Sequence, residues 1–308
     1  MIIAVASGKG GTGKSPVATS LALSIAGDRS HLKDLADQSQ LTDLADRPTG
    51  SSARLLFLDC DVEEPNAALF LKPILDHRQE VGILVPEVDS AKCTYCGRCA
   101  EVCVWHAIAV VGKKVLIFPE LCHGCGSCGL NCPEDAIHDL LNITGFVESG
   151  RTGPIDFAQG TLDVGQAMPV PVIHQLKKKY LAASDHRLVI LDSSPGTSCP
   201  VVETMRDADF VLMVTEPTPF GLHDLRLAVQ VARDELGLPV GVVINRDGIG
   251  DAGVEQYCAC ESIPVLLRIP LDRRIAELTS DGHALVEVLP EYGYAFLSLW
   301  QRIVEQMG

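Results

Sequence analysis

The segment Gly8-Lys9-Gly10-Gly11-Thr12-Gly13-Lys14-Ser15 decides the fold of this chain. It satisfies the pattern G-x-x-x-x-G-K-[ST], and it lies between the apolar run 1–6 and apolar residues at helical spacing. Glycines let successive backbone N–H groups turn towards phosphate oxygens, Lys14 can reach the β- and γ-phosphates, and the Ser15 hydroxyl can bind Mg²⁺. A chance match in a glycine-rich turn is the alternative. The flanking strand and helix favour a phosphate-binding loop that takes a nucleoside triphosphate and Mg²⁺.

Composition limits the class of protein. The chain has 308 residues, 47% of them hydrophobic, and no apolar stretch reaches about 18 residues, so we expect a substantial core and no membrane-spanning helix. The N-terminus lacks the pattern of a signal peptide, and we expect a cytoplasmic protein. The net charge is −15, and the one compact basic cluster, 177–179, is interpreted as the solvated face of a helix, so nucleic-acid binding is not expected. The terminal helix 292–307 is not basic enough to predict membrane binding.

Two other strands end in acidic residues. The apolar run 55–58 leads to Asp59 and Asp61, and the run 187–191 leads to Asp192 and a loop that contains Gly196. Carboxylates at the C-terminal ends of strands lie at the ligand edge of an open α/β sheet, where they can hold the Mg²⁺ shell or orient an attacking water. Ordinary loop acids are the alternative. We expect Asp192 to support the metal and the Gly196 N–H to lie near the γ-phosphate, where it can sense hydrolysis.

Eight of the twelve cysteines form a duplicated run. The first run, Cys93-x2-Cys96-x2-Cys99-x3-Cys103, recurs as Cys122-x2-Cys125-x2-Cys128-x3-Cys132, and both continue to Ala-Ile at the same offset. This spacing predicts two [4Fe–4S] clusters in which the fourth cysteine of each run binds the other cluster. Cluster one would take Cys93, Cys96, Cys99 and Cys132, and cluster two would take Cys122, Cys125, Cys128 and Cys103. Zinc sites are the alternative, although zinc modules usually use separated C-x2-C pairs. The first run has Val104 where the second has Pro133, a departure that removes no ligand.

The whole chain, except for 28–52, resembles the MinD/ParA/Mrp/nitrogenase-iron-protein family of P-loop ATPases, in a form with an inserted two-cluster ferredoxin domain. The resemblance is carried by Lys9 in the P-loop, by the D-x-D-x-x-x-P string that begins at Asp59, and by the loop that follows Asp192. It implies that Lys9 crosses a nucleotide-sandwich dimer to the partner subunit's phosphates. It also implies that Asp59 lies near the metal and that Asp61 positions the attacking water.

The same resemblance identifies the nucleotide as ATP. It implies that Asn245 recognises adenine and that Pro270 lies beside the base. Pro16 stands where the family usually has Thr or Ser, so a hydroxyl contact to the α-phosphate is lost, although proline is tolerated in a first helical turn.

The predicted architecture is α/β, with a mostly parallel sheet and helices on both faces. The P-loop ATPase domain would comprise 1–86 and 146–308, and an α+β ferredoxin-like domain, 87–145, would interrupt it. Between the cysteine runs we expect a single strand-like stretch, 109–118, and after the module short strands and turns over 145–165. The polar segment 28–52 carries a near-repeat and is interpreted as a surface excursion.

Three functions remain open from the sequence: ATP-gated electron delivery to a partner protein, assembly or carriage of an iron–sulfur or metal cofactor, and positioning as a scaffold. Eight ligands favour electron transfer, because donation needs a labile site. Cys258 and Cys260 diverge by about 200° on a helix, so a shared metal is not favoured. The role of Cys199 is open between a redox-active or metal-binding role and a structural one. Expected partners are a second copy or a related ATPase, and an unidentified redox or cofactor-assembly protein.

Overall fold

The computed structural model describes residues 1–27, 55–181 and 188–307, so the excursion 28–52 lies outside the described residues. The strands are β1 (Ile2–Ala6), β2 (Leu55–Asp59), β3 (Ile74–Val88), β4 (Ile108–Val111), β5 (Lys114–Ile117), β6 (Ile137–Thr152), β7 (Ile155–Leu162), β8 (Leu188–Asp192), β9 (Phe210–Thr215), β10 (Val240–Asp247) and β11 (Val265–Pro270). The helices are α1 (Lys14–Ala26), α2 (Ala67–Leu71), α3 (Arg98–Glu101), α4 (Ser127–Leu130), α5 (Val170–Leu181), α6 (Cys199–Met205), α7 (Pro219–Val229), α8 (Gly253–Cys260), α9 (Arg273–Ser280), α10 (Leu285–Val288) and α11 (Pro290–Met307).

Nine of the described strands form one sheet in the order β11-β10-β9-β1-β8-β2-β7-β6-β3. The first seven of these pair in parallel, while β6 and β3 add two antiparallel strands at one edge. Short apolar strands alternating with helices give this topology because parallel neighbours need a crossover connection. The predicted α/β fold with a mostly parallel sheet is confirmed.

Two apolar cores cover the two faces of the sheet. In β1, Ile3 and Val5 belong to the core formed with α1 and α11, whereas Ala4 and Ala6 belong to the core formed with α5, α6 and α7. This division follows the two-residue side-chain period of a strand. Because both faces are buried, the central strands are almost wholly apolar, and the polar residues that follow them gather at one edge of the sheet.

A long two-stranded ribbon leaves the edge of the sheet. Strand β3 pairs with β6 in antiparallel register from Ile74 opposite Arg151 to Val88 opposite Ile137. The predicted strands and turns over 145–165 are present, but the first strand is the end of β6, a strand of 16 residues that a turn at 153–154 joins to β7. The predicted domain borders at 87 and 145 fall inside these continuous strands.

The duplicated cysteine run lies at the end of this ribbon. Residues between the two runs form an antiparallel hairpin, β4 with β5, and not the single strand-like stretch that was predicted. Gly112 makes the turn with a φ of 58°, a left-handed conformation that glycine adopts at little cost. Each cysteine run carries one short helix, α3 or α4, and a glycine in the left-handed region precedes each of them.

The interpretation of the lysine cluster was partly wrong. Lys178 is exposed, but Lys177 on α5 is only 4% exposed. Its Nζ donates to the carbonyl oxygens of Glu203 and Arg206, both at 2.5 Å, at the C-terminal end of α6. A buried cation there satisfies carbonyls that have no partner within their own helix.

No helix in the described part of the chain is both long enough and apolar enough to span a membrane.

Candidate functional site

The phosphate-binding segment lines an open groove at the C-terminal edge of the parallel strands. The groove has a volume of about 540 Å³, in the range of ligand pockets. Its lining brings together residues that the sequence analysis selected from distant parts of the chain: Lys9, Gly10, Gly11, Thr12, Gly13, Lys14, Ser15, Pro16, Asp61, Asn245 and Pro270. Gly8 lies at the start of the loop, packed against α7, and is not among the lining residues.

Two positions of the loop require glycine because atoms from other elements approach them closely. A Cβ on Gly8 would lie 2.3 Å from the carbonyl oxygen of Asp224 on α7, and one on Gly13 would lie 2.3 Å from Asn245 Nδ2. Gly13 also has a φ of 87°, and Gly11 has a φ of 76°. Because side chains are strained in the left-handed region, the loop needs glycine at both positions.

Lys14 and Asp192 form a buried ion pair at the base of the groove. The distance from Lys14 Nζ to Asp192 Oδ1 is 2.5 Å, and neither side chain is more than 7% exposed. Burial by itself lowers the pKa of Lys14, but the charge and hydrogen bond of Asp192 more than offset this, so the pKa is raised. Within the described residues, Asp192 Oδ2 has no hydrogen-bond partner although it is buried. Such an orphaned carboxylate oxygen suits the hydration shell of a divalent cation.

Asp59 and Asp61 differ in their surroundings. Asp59 is fully buried and accepts hydrogen bonds from the backbone N–H groups of Asp61, Asn66 and Ala67 at 2.9–3.1 Å. Burial, followed by repulsion from Asp192, raises the pKa of Asp59 to about 8. Asp61 lines the groove, and burial, opposed by Lys14, raises its pKa to about 6. Asp59 therefore holds the loop after β2, while Asp61 faces the groove.

Lys9 lies at the rim of the groove beside an acid that the sequence analysis missed. Its Nζ is 2.8 Å from Glu216 Oε2, and Arg246 pairs with the other carboxylate oxygen of Glu216. Glu216 is almost fully buried and follows β9 directly, so the rule that selected Asp59 and Asp192 could have found it. Lys9 is 32% exposed, which leaves it accessible at the rim.

The remaining predicted nucleotide contacts make internal hydrogen bonds. Asn245 Nδ2 donates to the carbonyl oxygen of Thr12 at 2.7 Å, so this amide fixes the P-loop against β10. The Gly196 N–H donates to the carbonyl oxygen of Ser7 at 2.8 Å, and Gly196 does not line the groove. Pro16 is accommodated at the third position of α1 with the helix intact.

The eight cysteines surround two cavities in the module at the end of the ribbon. Site one is lined by Cys93, Cys96, Cys99 and Cys132, and site two is lined by Cys103, Cys122, Cys125 and Cys128. Each cavity thus has three cysteines from one run and the fourth from the other run. Among the described residues, no group of three or more His, Cys, Asp or Glu side chains has an arrangement that could hold a single metal ion.

The backbone of the two runs is closely similar around these sulfurs. Ala107 N–H donates to Cys103 Sγ and Ala136 N–H donates to Cys132 Sγ, both at 3.3 Å. Left-handed residues also recur at equivalent places, with Tyr95 matching Gly124, Gly97 matching Gly126 and His106 matching Asp135. Burial raises the pKa of the Cys99, Cys122 and Cys128 thiols, whereas hydrogen bonds from Ser127 lower that of Cys125.

The other four cysteines are apart from these cavities. Cys60 and Cys258 are buried, which raises the pKa of both thiols, that of Cys258 to about 11. Cys199 is exposed at the start of α6, and Cys260 is exposed on α8. The opposite exposure of Cys258 and Cys260 agrees with the divergence expected from their spacing.

Comparison with known proteins places these features in one family. Residues 3–286 match the model of the CobQ/CobB/MinD/ParA nucleotide binding domain. Two uncharacterized Methanocaldococcus jannaschii proteins are similar over nearly their whole length: MJ0579 is 32% identical over 93% of this chain and 92% of its own, and MJ0578 is 33% identical over 99% and 97%. An iron-sulfur cluster carrier protein of the same organism is 23% identical over 65% of this chain and 77% of its own.

Solved structures share the fold. The cell division ATPase MinD of Pyrococcus furiosus superimposes with a TM-score of 0.56 at 20% identity, covering 99% of this chain and 98% of that one. The septum site-determining protein MinD of Pyrococcus horikoshii, complexed with Mg-ADP, superimposes with a TM-score of 0.55 at 18% identity, covering 98% and 95%. The groove described above therefore lies on a MinD-like α/β scaffold.

Proposed function

The chain belongs to the CobQ/CobB/MinD/ParA nucleotide-binding family, and from this premise we propose that it is a dimeric ATPase that couples its nucleotide state to electron transfer through two [4Fe–4S] clusters. The observation that carries the proposal is the lining of the two cysteine cavities. Each has four cysteines, three from one run and one from the other, as the crossed ligation of a two-cluster ferredoxin requires.

The donor set of each cavity fits a cluster. Four thiols line a cavity, and backbone N–H groups donate to the sulfurs of Cys93, Cys103, Cys122 and Cys132 at 3.3–3.5 Å. Hydrogen bonds of this kind stabilise sulfur that carries charge and set the reduction potential. A bound cluster would supply one-electron chemistry, and the protein would supply the ligands, the hydrogen bonds and the separation between the two sites. Residues 87–145 would form the ferredoxin-like domain, with the ATPase domain in 1–86 and 146–308.

In the nucleotide groove, each proposed role belongs to a residue of this chain. Lys14 would leave Asp192 for the β- and γ-phosphates, and the freed Asp192 would hold the Mg²⁺ shell together with Ser15. Asp61 would orient the attacking water, and Asp59 would keep the loop of Asp61 in place and lie near the metal. Lys9 would leave Glu216 and reach the phosphates bound to a partner subunit, which makes the closed dimer dependent on ATP.

The two kinds of site are physically connected. The loop that carries Asp59 and Asp61 continues through α2 into β3, and β3 reaches the cysteine module without a break. A Cβ on Gly124, in the second cysteine run, would lie 3.2 Å from the carbonyl oxygen of Leu84 on β3. Two residues away on β3, Gln175 of α5 donates to the carbonyl oxygen of Gly82 at 2.5 Å. Displacement of the loop after β2 would thus be passed to site two along β3.

Assembly of iron–sulfur centres is the second candidate function. It is favoured by the similarity to a protein named an iron-sulfur cluster carrier. It requires that a cluster leave the protein, whereas four thiolates for each site favour retention. The two functions differ in what happens to the iron when a partner is present.

The decisive experiment uses the full chain, reconstituted anaerobically with iron and sulfide. Electron transfer predicts about eight iron atoms per chain, reducible signals from both clusters in electron paramagnetic resonance spectra, and a change in potential or in the rate of acceptor reduction when Mg-ATP is added. If Mg-ATP changed neither the reduction potentials nor the rate of acceptor reduction, the proposed coupling would be refuted. Iron appearing in an apo-ferredoxin acceptor would support assembly instead.

A matched pair of variants separates the two sites. Lys14→Met should abolish ATP turnover and leave the visible absorption of the clusters intact, because Lys14 is remote from the cysteine module in the chain and in the fold. Lys178→Met, which removes an exposed lysine, should change neither. Loss of the clusters in Lys14→Met would contradict the assignment of two separable sites.

A further inference from the structure

The two cysteine sites have similar backbone conformations, but they differ in what restrains the cysteine that comes from the other run. Cys132, which crosses to site one, is followed by Pro133, and Cys103, which crosses to site two, is followed by Val104. The pyrrolidine ring fixes φ near −65° and so restricts the backbone directly after Cys132. Val104 is 75% exposed and supplies no such restriction.

A contact between the two runs is present on the side that lacks the proline. The rings of Trp105 and His123 stack with their centroids 3.6 Å apart and an angle of 14° between their planes. Trp105 is two residues after Cys103, and His123 directly follows Cys122. Both rings line site two. The stack therefore ties the segment of the crossed ligand to the run that supplies the other three cysteines.

The equivalent positions at site one have a different chemistry. Glu134 corresponds to Trp105 and Thr94 corresponds to His123, and neither side chain is aromatic. The surrounding backbone is nevertheless matched, because the N–H bonds to Cys103 Sγ and Cys132 Sγ are both 3.3 Å and the left-handed residues His106 and Asp135 recur. The aromatic pair is thus one difference between two sites with similar backbones, beside Tyr95 and Arg98 at site one, where site two has Gly124 and Ser127.

We propose that the Trp105–His123 stack is a positioning device for Cys103, and that it does for site two what Pro133 does for site one. The proline restricts the conformation covalently, whereas the stack restricts it by a tertiary contact between two large flat rings. This inference rests on the proposed cluster binding. It predicts that different contacts retain the cluster in each site, so that site two can lose its cluster while site one keeps its own.

The test compares reconstituted full-length variants by iron content, by electron paramagnetic resonance after reduction, and by the rate of iron loss to an excess of chelator. Trp105→Ala should lose the site-two cluster about tenfold faster than the wild-type protein, as expected for removal of a stacked pair. Trp105→Phe should restore most of the retention. Glu134→Ala, at the equivalent position, is the matched control and should behave as the wild type.

A second variant separates positioning from general stability. Val104→Pro in the Trp105→Ala background should recover retention at site two by restoring the covalent restriction, and no recovery would count against positioning by the stack. Cys103→Ala and Cys132→Ala provide the reference spectra for loss of site two and of site one. His123→Ala should resemble Trp105→Ala, and the double variant should be no worse than either, because both remove one contact.

The outcomes are distinct. Equal iron loss from wild type and Trp105→Ala, or loss that follows the Cys132→Ala spectrum, would overturn the inference and leave the proposed function intact. A wild-type protein that takes up no cluster at all would instead overturn the proposed function.

Discussion

Lys177 provides the sharpest test of how helix α6 is held in place. Its Nζ donates to two carbonyl oxygens at 2.5 Å, those of Glu203 and Arg206, and it lies 3.6 Å from Asp207 Oδ2. We predict that Lys177→Met, which keeps the length of the side chain and removes its charge, lowers both the stability of the protein and the order of α6.

The magnitude follows from opposing contributions. Two hydrogen bonds from a charged donor are worth about 1.5–3 kcal/mol each, and their loss leaves helix-terminal carbonyls without partners. Methionine offsets part of this lost stability, because its apolar side chain is buried and the cost of burying the ammonium group is removed. We expect a net loss of about 2–4 kcal/mol, which corresponds to a fall in Tm of about 3–6 °C for a chain of this size.

The assay is thermal unfolding followed by circular dichroism, with Lys178→Met as the matched control. Lys178 is the next residue on the same helix and is exposed, so its removal should change Tm by no more than about 1–2 °C. Equal melting of the two variants would refute the assignment of Lys177 as the residue that caps α6.

Three other predictions concern the nucleotide groove. Gly13→Ala places a methyl group 2.3 Å from Asn245 Nδ2 at a φ of 87°, whereas the methyl group of Gly11→Ala meets no atom within 4 Å at a φ of 76°. Calorimetry should therefore show a loss of ATP affinity that is at least about tenfold greater for Gly13→Ala than for Gly11→Ala. Equal losses would contradict the close approach at Gly13. The pKa of Asp59 is about 8 in the folded protein and near 4 in the unfolded chain. Between these pH values the folded metal-free protein retains a proton that the unfolded chain releases. The free energy of unfolding should therefore fall as the pH rises towards 8. Asp59→Asn should flatten this dependence in urea titrations, and an unchanged slope would exclude Asp59 as its origin. Lys9→Ala should leave ATP binding by the single chain intact and abolish ATP-dependent dimers in sedimentation, a result that an unaltered dimer would contradict.

The sequence was most informative where one short segment determines both backbone and chemistry. The residues from Gly8 to Ser15 predicted a strand, a loop and a helix, and the structure has β1 and α1 on either side of the groove. The cysteine spacing likewise predicted which four cysteines share a cavity, because three of the four cysteines of each cavity are within seven residues of one another. Such patterns are local, so they can be interpreted without knowledge of the rest of the fold.

The features that were missed depend on partners far away in the chain. Strand β3 begins with residues that are exposed on both faces, so 74–80 show no hydrophobic alternation, and its pairing partner β6 begins 49 residues after β3 ends. Lys177 resembles its neighbours in sequence, and only the packing of α6 buries it. The internal hydrogen bonds of Asn245 and of Gly196 also depend on loops that tertiary structure brings together.

The pairing of Val88 with Ile137 has a consequence for how this protein can be taken apart. Two residues that face each other across an antiparallel ribbon are the positions that a short reverse turn joins. Residues 89–136 therefore occupy the place of a hairpin turn. A chain in which Asn-Gly connects Val88 to Ile137 would keep every strand of the nine-stranded sheet and would lack all eight duplicated cysteines. Deletion of the module is thus compatible with the architecture that surrounds the nucleotide groove, and under the proposed function such a shortened chain would hydrolyse ATP without the visible absorption of clusters.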